Sequence, residues 1–124
     1  MYDIDLVLEI LLQIDGAIIK INRRFEPIKS VDDFLDTEEG QEKIDSICML
    51  LIAIGESLKN IDKITDKKLL LKYKTIDWKK VKGVRDVISH HYFDLNAEVI
   101  FSICNRHIFD LEKTIKNIIS DLKN

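Results

Sequence analysis

Apolar side chains return every three or four positions along most of this chain, a rhythm that suits helices and little else. From Asp3 to Phe25, the residues Ile4, Val7, Leu8, Leu11, Leu12, Ile14, Ile18, Ile19 and Ile21 make one broad apolar face. Asp3 is placed to cap this helix, and Pro27 stops it. A short turn is expected over 30–35, carrying Val31, Phe34 and Leu35. A second long helix should start near Asp36 or Thr37 and end near Ile64. Asp36 with Glu39 three residues on fits a capping box there. Ile44, Ile47, Cys48, Leu50, Leu51, Ile54, Leu58 and Ile61 supply its buried side. Gly55 sits inside it at a cost of about 1 kcal/mol relative to Ala, so a neighbouring element should approach closely at that point. A short helix over 66–73, a fourth from Trp78 to about His90 capped by Asp77, and a last one from about Asn96 to Lys123 complete the pattern. One proline and four glycines exclude a turn-rich β architecture. The expected fold is all-α: an up-and-down four-helix bundle with one or two extra short helices, forming one domain over residues 1–124.

Net charge is −3, which excludes a generally basic nucleic-acid binder. The charge is uneven, though. Lys59 to Arg85 holds ten Lys/Arg against three Asp, a balance of +7 that leaves −10 on the rest. Such a segment can meet a polyanion locally, or simply be solvated. Cys48 and Cys104 each fall inside an apolar helical pattern, with no CxxC spacing. They read as reduced core residues of a cytoplasmic protein. The N-terminal stretch is acidic and amphipathic, unlike a signal peptide, and the longest purely apolar run, 49–54, is too short to span a bilayer. No membrane association is expected.

Reactive groups concentrate in one place. Lys79, Lys80 and Lys82 lead into Arg85, Asp86, His90, His91 and Tyr92. Asp86 and His90 have the i, i+4 spacing that lets a carboxylate steady an imidazole. Arg85 and His90 are five apart, about 140° round a regular helix, so one helix alone does not converge them. A second subunit would ease that. His90 and His91 are adjacent and point about 100° apart, a poor pair for one metal ion. Taken alone, the cluster also fits a polar helix face of weak ion pairs.

The spacing Arg85-x4-His90-x-Tyr92 resembles the RX4HXY motif of HEPN domains, and more specifically that of the HepT-like toxins of HepT/MntA toxin–antitoxin pairs. The likeness extends to Ile54-Gly55-Glu56-Ser57-Leu58, to the approach from Ile76 through Asp86, and to the exit His91-Tyr92-Phe93-Asp94. It covers nearly the whole chain, most loosely the first thirty residues. The resemblance implies a HEPN-like helical bundle that dimerises, with motif helices of both subunits lining one cleft. It implies metal-independent endoribonuclease activity needing no cofactor. It also implies a small MNT-type nucleotidyltransferase antitoxin that attaches AMP to Tyr92 and silences the toxin.

The residue types suit that chemistry. Metal-free RNA cleavage needs a base for the 2′-OH, charge stabilisation at phosphorus, and an acid for the 5′-oxygen. His90 can serve as base or acid. Arg85 can hold the non-bridging oxygens as charge builds on them. Asp86 can support His90, and Lys79, Lys80, Lys82 and His91 are candidates to hold RNA. The residue after the motif arginine is Asp86, where the family more often has Asn, so a carboxylate stands near the expected phosphate. That feature favours a second reading: a non-catalytic HEPN module that binds nucleotide or RNA, or docks a nucleotidyltransferase. A third reading makes the cluster an ion-pair network at a helical interface, with Arg85 and His90 buried against each other.

Overall fold

The structure, a computed structural model, describes residues 2–90, 93 and 96–124. The described residues contain helices and turns and no strand. The architecture is the all-α, HEPN-like bundle that the periodicity and the motif predict.

Helix α1 runs Ile4–Phe25, and the Asp3 carboxylate accepts from the Leu6 backbone N–H at 3.1 Å. Helix α2 is the single turn Asp32–Leu35, and α3 spans Glu38–Ile64. The cap of α3 is Thr37, whose Oγ1 accepts from the Gly40 N–H. The Asp36/Glu39 capping box is not formed, because the chain turns into the helix one residue later than that pairing requires. Gly40 is where α2 meets α3: a Cβ there would lie 1.9 Å from the Asp33 carbonyl oxygen.

The chain leaves α3 through Asp66 and Lys67, two consecutive non-glycine residues at positive φ, 54° and 61°. Lys67 N–H reaches back to the Asp62 carbonyl at 2.8 Å, closing the helix end. The expected helix over 66–73 shrinks to a 3-10 turn, Leu70–Lys72. This reversed backbone is incompatible with helix, and Leu71 faces solvent while Leu69 and Leu70 are buried.

Asp77 caps the next helix as its sequence position predicts. The single helix expected from Trp78 to His90 is in fact two, α4 (Trp78–Lys82) and α5 (Val84–His90), hinged at Gly83. Gly83 N–H bonds the Lys79 carbonyl, and the Asp86 N–H then bonds the Gly83 carbonyl, so the ladder tightens and restarts. Helix α4 is pressed on α3 at Gly55, where an added Cβ would lie 3.0 Å from the Val81 oxygen. The close approach expected at that glycine is present.

The last helix has three parts: α6 (Ala97–Ser102), a π-helical turn (Ile103–His107) and α7 (Ile108–Lys123). Asn96 caps it, and Ile108 N–H reaches Ile103 oxygen five residues back, which widens the turn.

Helix α1 packs on both α3 and α7, while α3 also carries α2, α4, α5 and α6. Ile14, Ile18, Ile47, Ile54, Leu58, Ile115 and Ile118 are almost wholly buried between them. Phe25, Phe34 and Phe101 close one end, with ring centroids 5.2–6.5 Å apart. Each such side chain is worth about 1.5–3 kcal/mol of transfer free energy. The apolar face of α1 is narrower than its sequence suggests. Ile4, Leu12 and Ile19 are exposed, because two neighbours cover only part of the helix circumference. Cys48 and Cys104 are free and buried. Burial, reinforced by Asp45, pushes the Cys48 thiol up to about 11; burial also takes Cys104 to about 12, so both stay protonated. No described helix is long and apolar enough to cross a membrane.

Candidate functional site

The short helix α5 carries Arg85 and His90 of the motif, and α3 supplies their support. Arg85 projects from the first turn of α5 and meets Glu56 across the bundle, Nη1 to Oε1 at 2.9 Å. The other oxygen of Glu56 lies 3.0 Å from Lys59 Nζ. The hydrogen bond from Lys59, with the nearby charges of Lys59 and Arg85, holds the Glu56 carboxyl below the usual carboxylate range. Glu56 therefore stays ionised and keeps the guanidinium at one place. Arg85 remains about half exposed, so its other donors face solvent.

His90 is exposed at the end of α5. Its Nδ1 lies 2.8 Å from the Asp86 main-chain oxygen. A carbonyl oxygen only accepts, so Nδ1 must carry the proton in this contact. In the neutral ring this leaves the Nε2 lone pair unprotonated and available as a base. The same bond also accommodates the imidazolium. Thus the described hydrogen bond between Asp86 and His90 runs through the Asp86 backbone.

Asp86 also lines an open groove of about 500 Å³ beside the motif helix. The end of α3 and its exit contribute Lys59, Asp62, Lys63 and Lys67; α4 contributes Lys79 and Lys82. Lys82 is committed to the buried Asp62 carboxylate. Lys63, Lys67 and Lys79 carry no ion pair among the described residues.

Only some of the expected residues therefore line the groove. Asp86, Lys79 and Lys82 share the groove; Lys80 is exposed outside its lining. Arg85 and His90 stand on α5, each with its own partner, and neither is buried against the other. His91 and Tyr92 lie outside the described residues. Among the described residues no three His, Cys, Asp or Glu side chains gather as a metal site would require.

Two contributions were not assigned from the sequence. Glu56 lies 29 residues before Arg85, and only its place in the matching Ile54–Leu58 segment hinted at a role. Lys59, Lys63 and Lys67 were counted in the basic segment, and the i, i+4 spacing of the first two placed them on one face of α3.

Several proteins resemble this chain over part of its length. A protein of Methanocaldococcus jannaschii named "Putative RNase MJ0127" is 32% identical over 92 residues, which cover 74% of this chain and 70% of the relative. "Putative RNase TTE0752" of Caldanaerobacter subterraneus is 34% identical over 70 residues, 56% of this chain and 59% of the relative. "Putative RNase MJ0125", also of M. jannaschii, is 30% identical over 78 residues, covering 63% of this chain and 64% of the relative. No solved structure matches the chain. The family model described as "Ribonuclease HepT-like" matches residues 14–118, which takes in α5 and the whole RX4HXY segment. The chain belongs to the HepT-like ribonuclease family.

Proposed function

We propose that this protein is a metal-independent endoribonuclease, the toxin of a HepT/MntA-type pair. The observation that carries the reading is the state of the two motif side chains. Arg85 is fixed by Glu56 with donors to spare, and His90 holds its Nδ1 proton on a carbonyl and leaves Nε2 for the substrate. This is the division of labour that phosphodiester cleavage asks for. Nε2 of His90 takes the 2′-OH proton. The guanidinium of Arg85 binds the non-bridging oxygens as the phosphorane forms. The 5′-oxygen then leaves with a proton from an imidazolium.

Five residues apart, the two are about 140° round a regular helix, so the working site is formed by a homodimer that sets the Arg85 of one subunit against the His90 of the other. The exposed Val87, on the same short helix, is an apolar contact for such a pairing. The partner is an MNT-type nucleotidyltransferase antitoxin, which transfers AMP to Tyr92. The adduct adds negative charge and bulk beside the catalytic pair, blocking phosphate entry. The protein acts in the cytoplasm.

Expression of the wild-type chain should arrest growth, and expression of His90→Ala should not. Intact-mass measurement after co-expression with the nucleotidyltransferase should show a discrete addition of AMP that Tyr92→Phe abolishes. Growth arrest that persists with His90→Ala would remove the enzyme reading.

One observation favours the second reading, a non-catalytic module that binds RNA or nucleotide, or docks the nucleotidyltransferase. Asp86 lines the groove and the Arg85 guanidinium is already paired. Binding with a steep salt dependence and no cleavage is its signature.

A further inference from the structure

We infer that the lysine groove between the end of α3 and α4 is a track for the RNA phosphodiester backbone, extending the substrate away from the cutting residues. This rests on the proposed ribonuclease reading for its substrate, but it concerns residues outside the motif.

Five lysines from three separate chain segments line one groove with only two carboxylates, Asp62 and Asp86. Like charges gathered this way repel one another. A folded surface has no need to concentrate them unless a polyanion offsets the repulsion. Asp62 is already taken by Lys82, and Lys59 by Glu56. Lys63, Lys67 and Lys79 are left with exposed ammonium groups and no described ion-pair partner.

The backbone contributes to this placement. Lys59 and Lys63 rise along one face of α3, and a straight continuation would end with Ile64. Instead the positive-φ pair Asp66–Lys67 turns the chain, so that Lys67 returns to the same groove. Side chains rarely adopt that conformation, and here it is held by the Lys67 N–H bond to Asp62 and by the buried Thr65 hydroxyl on the Ile61 carbonyl. Across the groove, Lys79 and Lys82 are one helical turn apart on α4.

The ligand class follows from shape and charge. The groove is open along its length and lacks a described aromatic wall, so it suits a string of phosphates better than a stacked base. It also adjoins the motif: Asp86 lines the groove, and Lys59 of the groove shares Glu56 with Arg85. A strand held at Arg85 and His90 would pass the Asp86 carboxylate and enter the lysines. They offset that negative charge, which otherwise stands against the substrate.

The test uses the His90→Ala protein, which binds without cutting, and a labelled single-stranded RNA oligonucleotide. Affinity is measured against salt concentration with and without Lys63→Gln plus Lys67→Gln. Losing two phosphate contacts should lower the log–log salt slope by about 1.4. Arginine at both positions should restore it, and Lys20→Gln plus Lys43→Gln, on other surfaces, should leave it alone. An unchanged slope in the Lys63/Lys67 pair overturns the track, whether or not the wild type cuts RNA. A lost slope together with an inactive wild type supports the track and sinks the enzyme reading instead. ATP serves as the mononucleotide probe. If the pair of substitutions abolishes ATP binding and leaves the RNA slope intact, the groove is a nucleotide pocket and the track is wrong.

Discussion

Glu56 on α3 holds Arg85 on α5 at 2.9 Å, across 29 residues of sequence. The contact joins the longest helix of the bundle to the helix that carries the motif. Because Lys59 also bonds Glu56, the carboxylate is poised between two cations that hold it below the usual carboxylate range. Glu56 is therefore a positioning residue for Arg85.

Glu56→Gln should reduce RNA cleavage by about tenfold or more through a misplaced guanidinium, with the thermal midpoint unchanged. Both partners are solvent-accessible, so the pair contributes little to stability. The linkage has a definite sign. The carboxyl is depressed in the folded protein, so its contribution is present above the unfolded value and is lost as pH falls through the folded one. Arg85 should thus stay anchored at every pH where the histidine chemistry operates. Cleavage rates of the two proteins across pH, beside their melting curves, check this.

The glycines separate packing from propensity. Gly16 has nothing within 4 Å of where a Cβ would stand, so Gly16→Ala should stabilise by about 0.5–1 kcal/mol. Gly40→Ala drives a methyl into the Asp33 carbonyl and should cost about 3 kcal/mol. Urea titrations of the two variants should move the midpoint in opposite directions.

Asp62 and Lys82 form the buried link that pins α4 to α3. Lys82→Met strands a buried carboxylate and should cost about 2 kcal/mol in a denaturant titration. Its effect on RNA affinity should be smaller than that of removing Lys63 or Lys67, since the ammonium is already paired.

Tyr73 donates to Asp121 at 2.6 Å and ties the 3-10 turn to the end of α7. Burial first, then the Asp121 bond and charge, raise the phenol to about 12. For a raised phenol the stabilisation is complete below the unfolded value, about 10, and disappears as pH climbs through the folded one. Stability measured from pH 9 to 12 should fall in the wild type, and Tyr73→Phe should flatten that part of the decline.

Much of the bundle was legible from local signals. Asp3, Asp77 and Asn96 cap where their side chains sit just before apolar periods, and Gly55 marks a close helix approach. What local pattern could not supply is tertiary. The hinge at Gly83 depends on α4 being pressed against α3, and the reversed backbone at Asp66–Lys67 has no glycine to announce it. The same limit applies to the site. Spacing put Asp86 beside His90, but not which atoms would meet: the main-chain oxygen takes the histidine, and Asp86 also lines the lysine groove. The partner of Arg85 depends on how α5 lies against α3, which no helical wheel of either segment contains.

The central claim is that His90 and Arg85 cut RNA, and direct cleavage tests it best. Purified wild-type protein, His90→Ala and Arg85→Ala should be incubated with a labelled RNA and the products resolved over time. The wild type should cut, and each variant should be slower by about 10²-fold or more while still binding the strand. Equal cleavage by all three proteins, or no cleavage by any of them despite tight binding, would contradict it.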